Sequence, residues 1–158
     1  MIHHISISAE NPRHVAEVLA EVLGGRSCPF PPHPGSFMAM AGDTHGTGIE
    51  VYPHGSELIP GNGDEDAGFG NNTSPSRYNA THAAISVPLN QEQIEQIAAR
   101  EGWRTRRFSR GNGAFDVIEF WIENRQMIEL LTPEMAAQYL ASLAPENLER
   151  LVTMATPA

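Results

Sequence analysis

The sequence predicts an α+β protein in which one strand–helix–three-strand unit (βαβββ) is used twice. Three observations carry that expectation. His-x-x-Ile-Ser occurs at His4–Ser8 and returns at His82–Ser86. Each copy is followed by Ile-Glu-aliphatic, at Ile49-Glu50-Val51 and Ile128-Glu129-Leu130, so Glu50 lies 46 positions beyond His4 and Glu129 lies 47 beyond His82. Between these landmarks each half carries a helical stretch that opens at an asparagine and stops at a glycine. Chance does not keep residue type and separation alike in both halves, and the pattern reads as a duplication.

The elements follow in order. The segment from His4 alternates as a strand, with Ile5 and Ile7 on one face and His4, Ser6 and Ser8 on the other. Asn11 and Pro12 mark a helix start, Gly24 its end, and Val15, Val18, Leu19, Val22 and Leu23 give the apolar stripe. Four prolines interrupt the stretch SCPFPPHPGSFMAMAGD, so the middle strands of the first half read as irregular. GIEVYP closes that half. In the second half Ala83, Ile85 and Val87 oppose His82, Ala84 and Ser86; Asn90 and Gly102 bracket a helix carrying Ile94 and Ile97. WRTRRFS and DVIEFWIE flank the turn RGNGA, and MIELLTP closes the half. These boundaries predict one domain over 1–158: module one at about 1–55, a connector at about 56–79, module two at about 80–133 and a helical tail at about 134–158. The connector is rich in Gly, Asn and Asp and reads as a lid or a disordered loop. EMAAQYLASLA and PENLERLVTMA read as two short amphipathic helices of the tail.

Composition narrows the class. A chain of 158 residues with formal net charge −9 has no concentrated basic face for nucleic acid, although Arg104, Arg106, Arg107 and Arg110 cluster locally. No apolar run approaches the length of a membrane span. Glu10, Arg13 and Glu17 in the first twenty residues argue against a signal peptide, and Cys28 is the only cysteine. A cytoplasmic protein is the resulting expectation. All ten basic side chains are arginines, which leaves no lysine for Schiff-base chemistry.

In the closing strands Glu50 and Glu129 point away from Ile49, Val51, Ile128 and Leu130, as His4 and His82 point away from their module's helix. A histidine or glutamate on a strand's polar face is ordinarily just solvated. Here both types recur at one spacing, and carboxylates on an inner face call for a cation. Two neutral imidazoles and two carboxylates balance a divalent ion, and His4, Glu50, His82 and Glu129 are therefore the expected metal ligands. Nickel, cobalt, zinc, iron and manganese all suit that donor set. A slip of one residue in the first strand would put His3 in place of His4. Arg77 and Tyr78, ahead of the second histidine, are candidates to meet a substrate carboxylate, and Trp121 is a candidate for the cleft face. His33, His45 and His54 have no counterpart in the other half and are left outside the site.

With HISIS, IEV, HAAISV and IELL in place, residues 1–133 resemble the vicinal oxygen chelate superfamily, which includes glyoxalase I, extradiol dioxygenases, methylmalonyl-CoA epimerase and the bleomycin and fosfomycin resistance proteins. The resemblance implies two modules whose mixed sheet curls around a metal cleft, with His4, Glu50, His82 and Glu129 as ligands and Glu50 and Glu129 as catalytic carboxylates. A complete His-Glu-His-Glu set is most similar to glyoxalase I and the epimerases. That implies a lyase, isomerase or epimerase acting through an enediolate on a small carbonyl or hydroxy-acid substrate. The alternatives it leaves are a non-haem iron extradiol-type dioxygenase and a non-catalytic binding protein of the bleomycin-resistance kind. A small-molecule substrate and a homodimer, with the site inside one chain or across two, complete the expectation.

Overall fold

Two asparagines start the two longer helices, and the sequence around each shows why. Asn11 accepts a hydrogen bond from the His14 N–H at 3.3 Å ahead of α1 (Pro12–Leu23), with Pro12 in the first turn where no N–H is needed. Asn90 opens α2 (Gln91–Glu101) with a reciprocal box, its side chain accepting from the Gln93 N–H while the Gln93 side chain accepts from the Asn90 N–H. Gly24 and Gly102 end these helices at φ 68° and 67°, in the left-handed region that glycine enters without steric cost. The computed structural model describes residues 2–145 and 147.

Around α1 stand β1 (His4–Ala9), β2 (Arg26–Pro29), β3 (Phe37–Met40) and β4 (Gly48–Pro53), in the sheet order β1-β4-β3-β2. The prolines shorten β2 and β3 but do not abolish them. Next comes a hairpin of β5 (Ser56–Ile59) and β6 (Gly68–Asn71). The second unit repeats the first: β7 (Ala84–Ser86), α2, β8 (Thr105–Arg110), β9 (Phe115–Ile122) and β10 (Gln126–Leu131), in the order β7-β10-β9-β8. In both sheets the first and last strands pair in parallel and the others antiparallel, which is the βαβββ module made twice. Among the described residues the two four-stranded sheets are not bonded to each other and no barrel closes. α3 (Pro133–Ser142), capped by the Thr132 side chain, covers β9 and β10 with Met135 buried and Tyr139 against Phe115. The second tail helix expected over 145–155 lies outside the described residues save for 145 and 147. No helix among the described residues is long and apolar enough to cross a membrane.

One apolar core serves both modules, with Val15, Leu19 and Val22 of α1 in the same cluster as Ile94, Phe120 and Ile128. Polar joints reinforce it. The Glu123 carboxylate accepts from the backbone N–H groups of Glu10 and Asn11 at 2.7 and 2.9 Å, and Arg125 pairs with Glu10. Glu123 holds φ 50°, an uncommon value for a residue with a side chain, in the tight turn between β9 and β10 that makes this reach. At the other end Arg100 bonds Glu21, and His14 bonds Glu101.

The connector carries structure of its own. Phe69 of β6 packs on the rings of Tyr52 and His33, with centroids at 5.5 and 4.5 Å, and the Asn72 N–H bonds the Gly55 carbonyl at 2.7 Å. Glycine-rich Gly68–Asn71 lacks the alternation that announces a strand, so the hairpin was hidden by composition.

Candidate functional site

The parallel register of each module puts a carboxylate opposite the residue two positions after the histidine. Ser6 faces Glu50 across β1 and β4, and Ala84 faces Glu129 across β7 and β10. Cross-strand partners share a face, as do residues two apart on one strand, so His4 lies on the side of Glu50. His82 holds the equivalent place one turn of the pattern before β7 begins.

The first half-site is well defined. Glu50 is buried, and its Oε2 accepts hydrogen bonds from the Ser6 hydroxyl at 2.8 Å and the Tyr52 hydroxyl at 2.9 Å. Its Oε1 stands 3.7 Å from His4 Nε2, on a ring about half exposed. His3 turns away and bonds the His45 carbonyl. Burial first, and then donation to the Glu50 carboxylate, push the Tyr52 hydroxyl up to about 12. A cavity of about 240 Å³ opens beside Ser6 and Tyr52, the two donors to Glu50, walled also by Ser8, Phe69, Thr81 and Gln126; His4 and Glu50 themselves do not line it. Among the described residues Glu57 is the only ionisable carboxylate that lines it, and no arginine does.

The second half-site has different neighbours. Glu129 stands 3.5 Å from Arg110 Nε and lies directly opposite Glu119 across β9 and β10. Arg110 also bonds Glu119 at 2.7 Å, and the Trp121 indole N–H donates to the other Glu119 oxygen at 3.1 Å. His82 is exposed, with its Nδ1 on the Ala80 carbonyl at 3.0 Å. Between the sheets a cleft of about 510 Å³ runs along the facing edges of β1 and β7, lined by His3, His4 and Ile5 on one side and Ala83–Ser86 on the other.

Thus the four expected ligands stand as two His/Glu pairs in equivalent registers on two sheets. Among the described residues no three His, Cys, Asp or Glu side chains converge closely enough to hold an ion. Several neighbours were not assigned a role from sequence. Tyr52 was visible on Glu50's face, but nothing in the pattern said that its hydroxyl would bond the carboxylate. Glu119 and Arg110 lie in well-alternating strands, and only the β9–β10 register sets Glu119 against Glu129. Long-range packing brings His33 to Tyr52, at 5.2 Å between rings.

Comparison with solved structures places this architecture among known folds. The fosfomycin resistance protein FosX from Listeria monocytogenes superposes with TM-score 0.55 at 11% identity, over 87% of this chain and 97% of its own. A FosX structure from the same organism with Mn(II) and sulfate gives TM-score 0.56 at 12% identity, over 96% and 97% of the two chains. A putative glyoxalase family protein from Bacillus anthracis gives 0.53 at 14% identity, over 82% and 92%. No family model matches the chain, and no curated protein does. At these identities the likeness is one of fold: the paired βαβββ fold of the vicinal oxygen chelate proteins.

Proposed function

We propose that the protein is a divalent-metal-dependent enzyme that moves a proton on a small carbonyl or hydroxy-acid substrate, as a lyase, isomerase or epimerase of the glyoxalase type. The observation that supports this reading is the shared register, in which His4 with Glu50 and His82 with Glu129 occupy matching positions on the two sheets. The donor set fits a divalent ion in charge and in kind. His4, Glu50, His82 and Glu129 would hold it, gathered either by closure of the cleft between β1 and β7 or by a second copy supplying the complementary half-site. Manganese is the first ion to offer, since a FosX of this fold was solved with it.

When bound, a divalent ion supplies Lewis-acid polarisation of the substrate carbonyl. The residues do the rest. Ser6 and Tyr52 fix Glu50 Oε2, which leaves Oε1, on the His4 side, as the atom free to take a proton. Neutral donors around Glu50 keep its charge available, whereas Arg110 balances Glu129 until a cation takes over that role. The cavity beside Ser6 and Tyr52 is lined by hydroxyls and amides together with Ile7, Leu58 and Phe69, which suits a small oxygenated molecule.

A second reading is a non-catalytic small-molecule binder. It is favoured by the Arg110 contact, because a carboxylate with its own guanidinium partner has no need of a metal. Elemental analysis of the purified protein beside His82→Ala/Glu129→Ala separates the two. One divalent ion per site in the parent, lost in the variant, supports the enzyme. A parent that refuses nickel, cobalt, iron, manganese and zinc alike leaves the binder.

A further inference from the structure

We propose that a third cavity, of about 400 Å³ and lined by Arg77, Tyr78, Arg104, Trp121 and Asn124, binds a planar aromatic anion, an arene bearing a carboxylate or phosphonate. The argument begins with charge. In a chain of net charge −9, Arg13, Arg100, Arg107, Arg110 and Arg125 are each paired with a carboxylate. Arg26, Arg77, Arg104 and Arg106 are not among the paired arginines of the described residues, and two of them, Arg77 and Arg104, line this one cavity. Two guanidinium groups with no carboxylate partner among the described residues, on one concave surface, make a local positive field against an acidic background. Their planar forks match the oxygens of a carboxylate or phosphonate. Glu119, on the strand that carries Trp121, is held by Arg110 and by the Trp121 indole N–H.

The rest of the wall is aromatic. Tyr78 stands edge-on to Trp121 at 6.4 Å and 88°, and the Arg77 guanidinium lies over the Tyr78 ring at 5.3 Å. Such a wall holds a ligand ring by edge-to-face contact and keeps the guanidinium groups beside it. Backbone bonds brace the site: the Asn124 side chain accepts from the Arg104 N–H at 2.7 Å, and the Trp121 N–H donates to the Arg104 carbonyl at 2.9 Å. Trp121 pairs with Met127 across β9 and β10, two residues before Glu129 on the same strand. The inference does not depend on a metal.

Ligand-observed NMR titration tests it with benzoate, phenylphosphonate, benzyl alcohol and inorganic phosphate on the parent protein. The expected result is saturable binding of benzoate and phenylphosphonate, weakened about tenfold or more in Arg77→Gln/Arg104→Gln. Benzyl alcohol, lacking charge, and phosphate, lacking a ring, should each bind about tenfold weaker than benzoate or worse. Both arginines are exposed, so the variant keeps the fold, and an unchanged Tm verifies this. Equal binding of benzoate and benzyl alcohol, equal affinity in parent and variant, or no saturable binding at all would overturn the proposal. Phosphate binding as tightly as benzoate would overturn the aromatic part. The same titration on His4→Ala/Glu50→Gln, altered only in module one, should give the parent's affinity. A loss confined to that variant would place the anion at a metal instead.

Discussion

Module one and module two share a topology and a register, yet their carboxylates live in opposite surroundings. Glu50 receives two neutral hydroxyls and faces Met38 across β3 and β4. Glu129 faces another carboxylate, Glu119, and shares one guanidinium with it. The same inversion runs through the packing. At matching positions opposite Ile49 and Ile128, module one has Ala39 and module two has Phe120, both fully buried. The helices compensate: α1 buries seven side chains, whereas α2 buries only Ile94, Ile97 and Ala98. The two modules share a frame, and each solves filling and charge separately.

The largest expected effect tests the packing half of that comparison. Phe120→Ala removes a ring that packs edge-on to Trp103 at 5.6 Å under a thin helix, and should cost about 3–5 kcal/mol in denaturant unfolding. Ala39→Phe, the mirror change, forces a ring beneath a helix that already fills its space and should cost about 1–3 kcal/mol or more. A loss below about 1 kcal/mol for Phe120→Ala would mean that α2 collapses into the space and that the modules are not complementary in this way.

The charge half is tested at Arg110. Like charges directly opposite one another on a sheet repel, so Arg110→Gln should expose the repulsion between Glu119 and Glu129. Arg110 is 35% exposed, and solvent screening holds the expected loss to about 1–2 kcal/mol. Under the metal reading, adding manganese or nickel should restore much of that loss, because a cation then takes the guanidinium's place. Unchanged stability without metal would show that Arg110 is not the balancing charge.

These contrasts also show what could be read from the sequence. The duplicated frame was legible because it rests on short-range signals: alternation around His4 and His82, asparagine caps at Asn11 and Asn90, and glycine stops at Gly24 and Gly102. The four His/Glu candidates followed from the same signals, which place them on a face but cannot bring two sheets together. Arg110 reaches Glu129 through a hairpin register, and His33 reaches Tyr52 and Phe69 through a loop whose path is set by tertiary packing. Hidden too was the β5–β6 hairpin, since Gly68 and Gly70 remove the side chains whose alternation would mark it.

The smallest effect concerns how the modules are joined. One joint sets the backbone N–H groups of Glu10 and Asn11 on Glu123, beside the Arg125–Glu10 pair, and the other is made of side chains alone around Glu101. Burial alone would raise the Glu101 carboxyl, but hydrogen bonds from Arg100 and His14 prevail and hold it below the usual 4.5. A carboxylate with a lowered folded-state pKa stabilises the protein above its unfolded value, and that contribution is lost as pH falls through the folded value. Glu101→Gln should therefore cost about 0.5–1 kcal/mol at pH 7, modest because Arg100 and His14 are half exposed. Denaturant unfolding of parent and variant across an acid series should show the two curves converging at pH values under 4.5, as the parent's Glu101 takes up its proton. A gap that stays constant down that series would assign the Glu101 contribution to packing rather than charge, and the contrast between a joint resting on backbone donors and one resting on side-chain donors would fall.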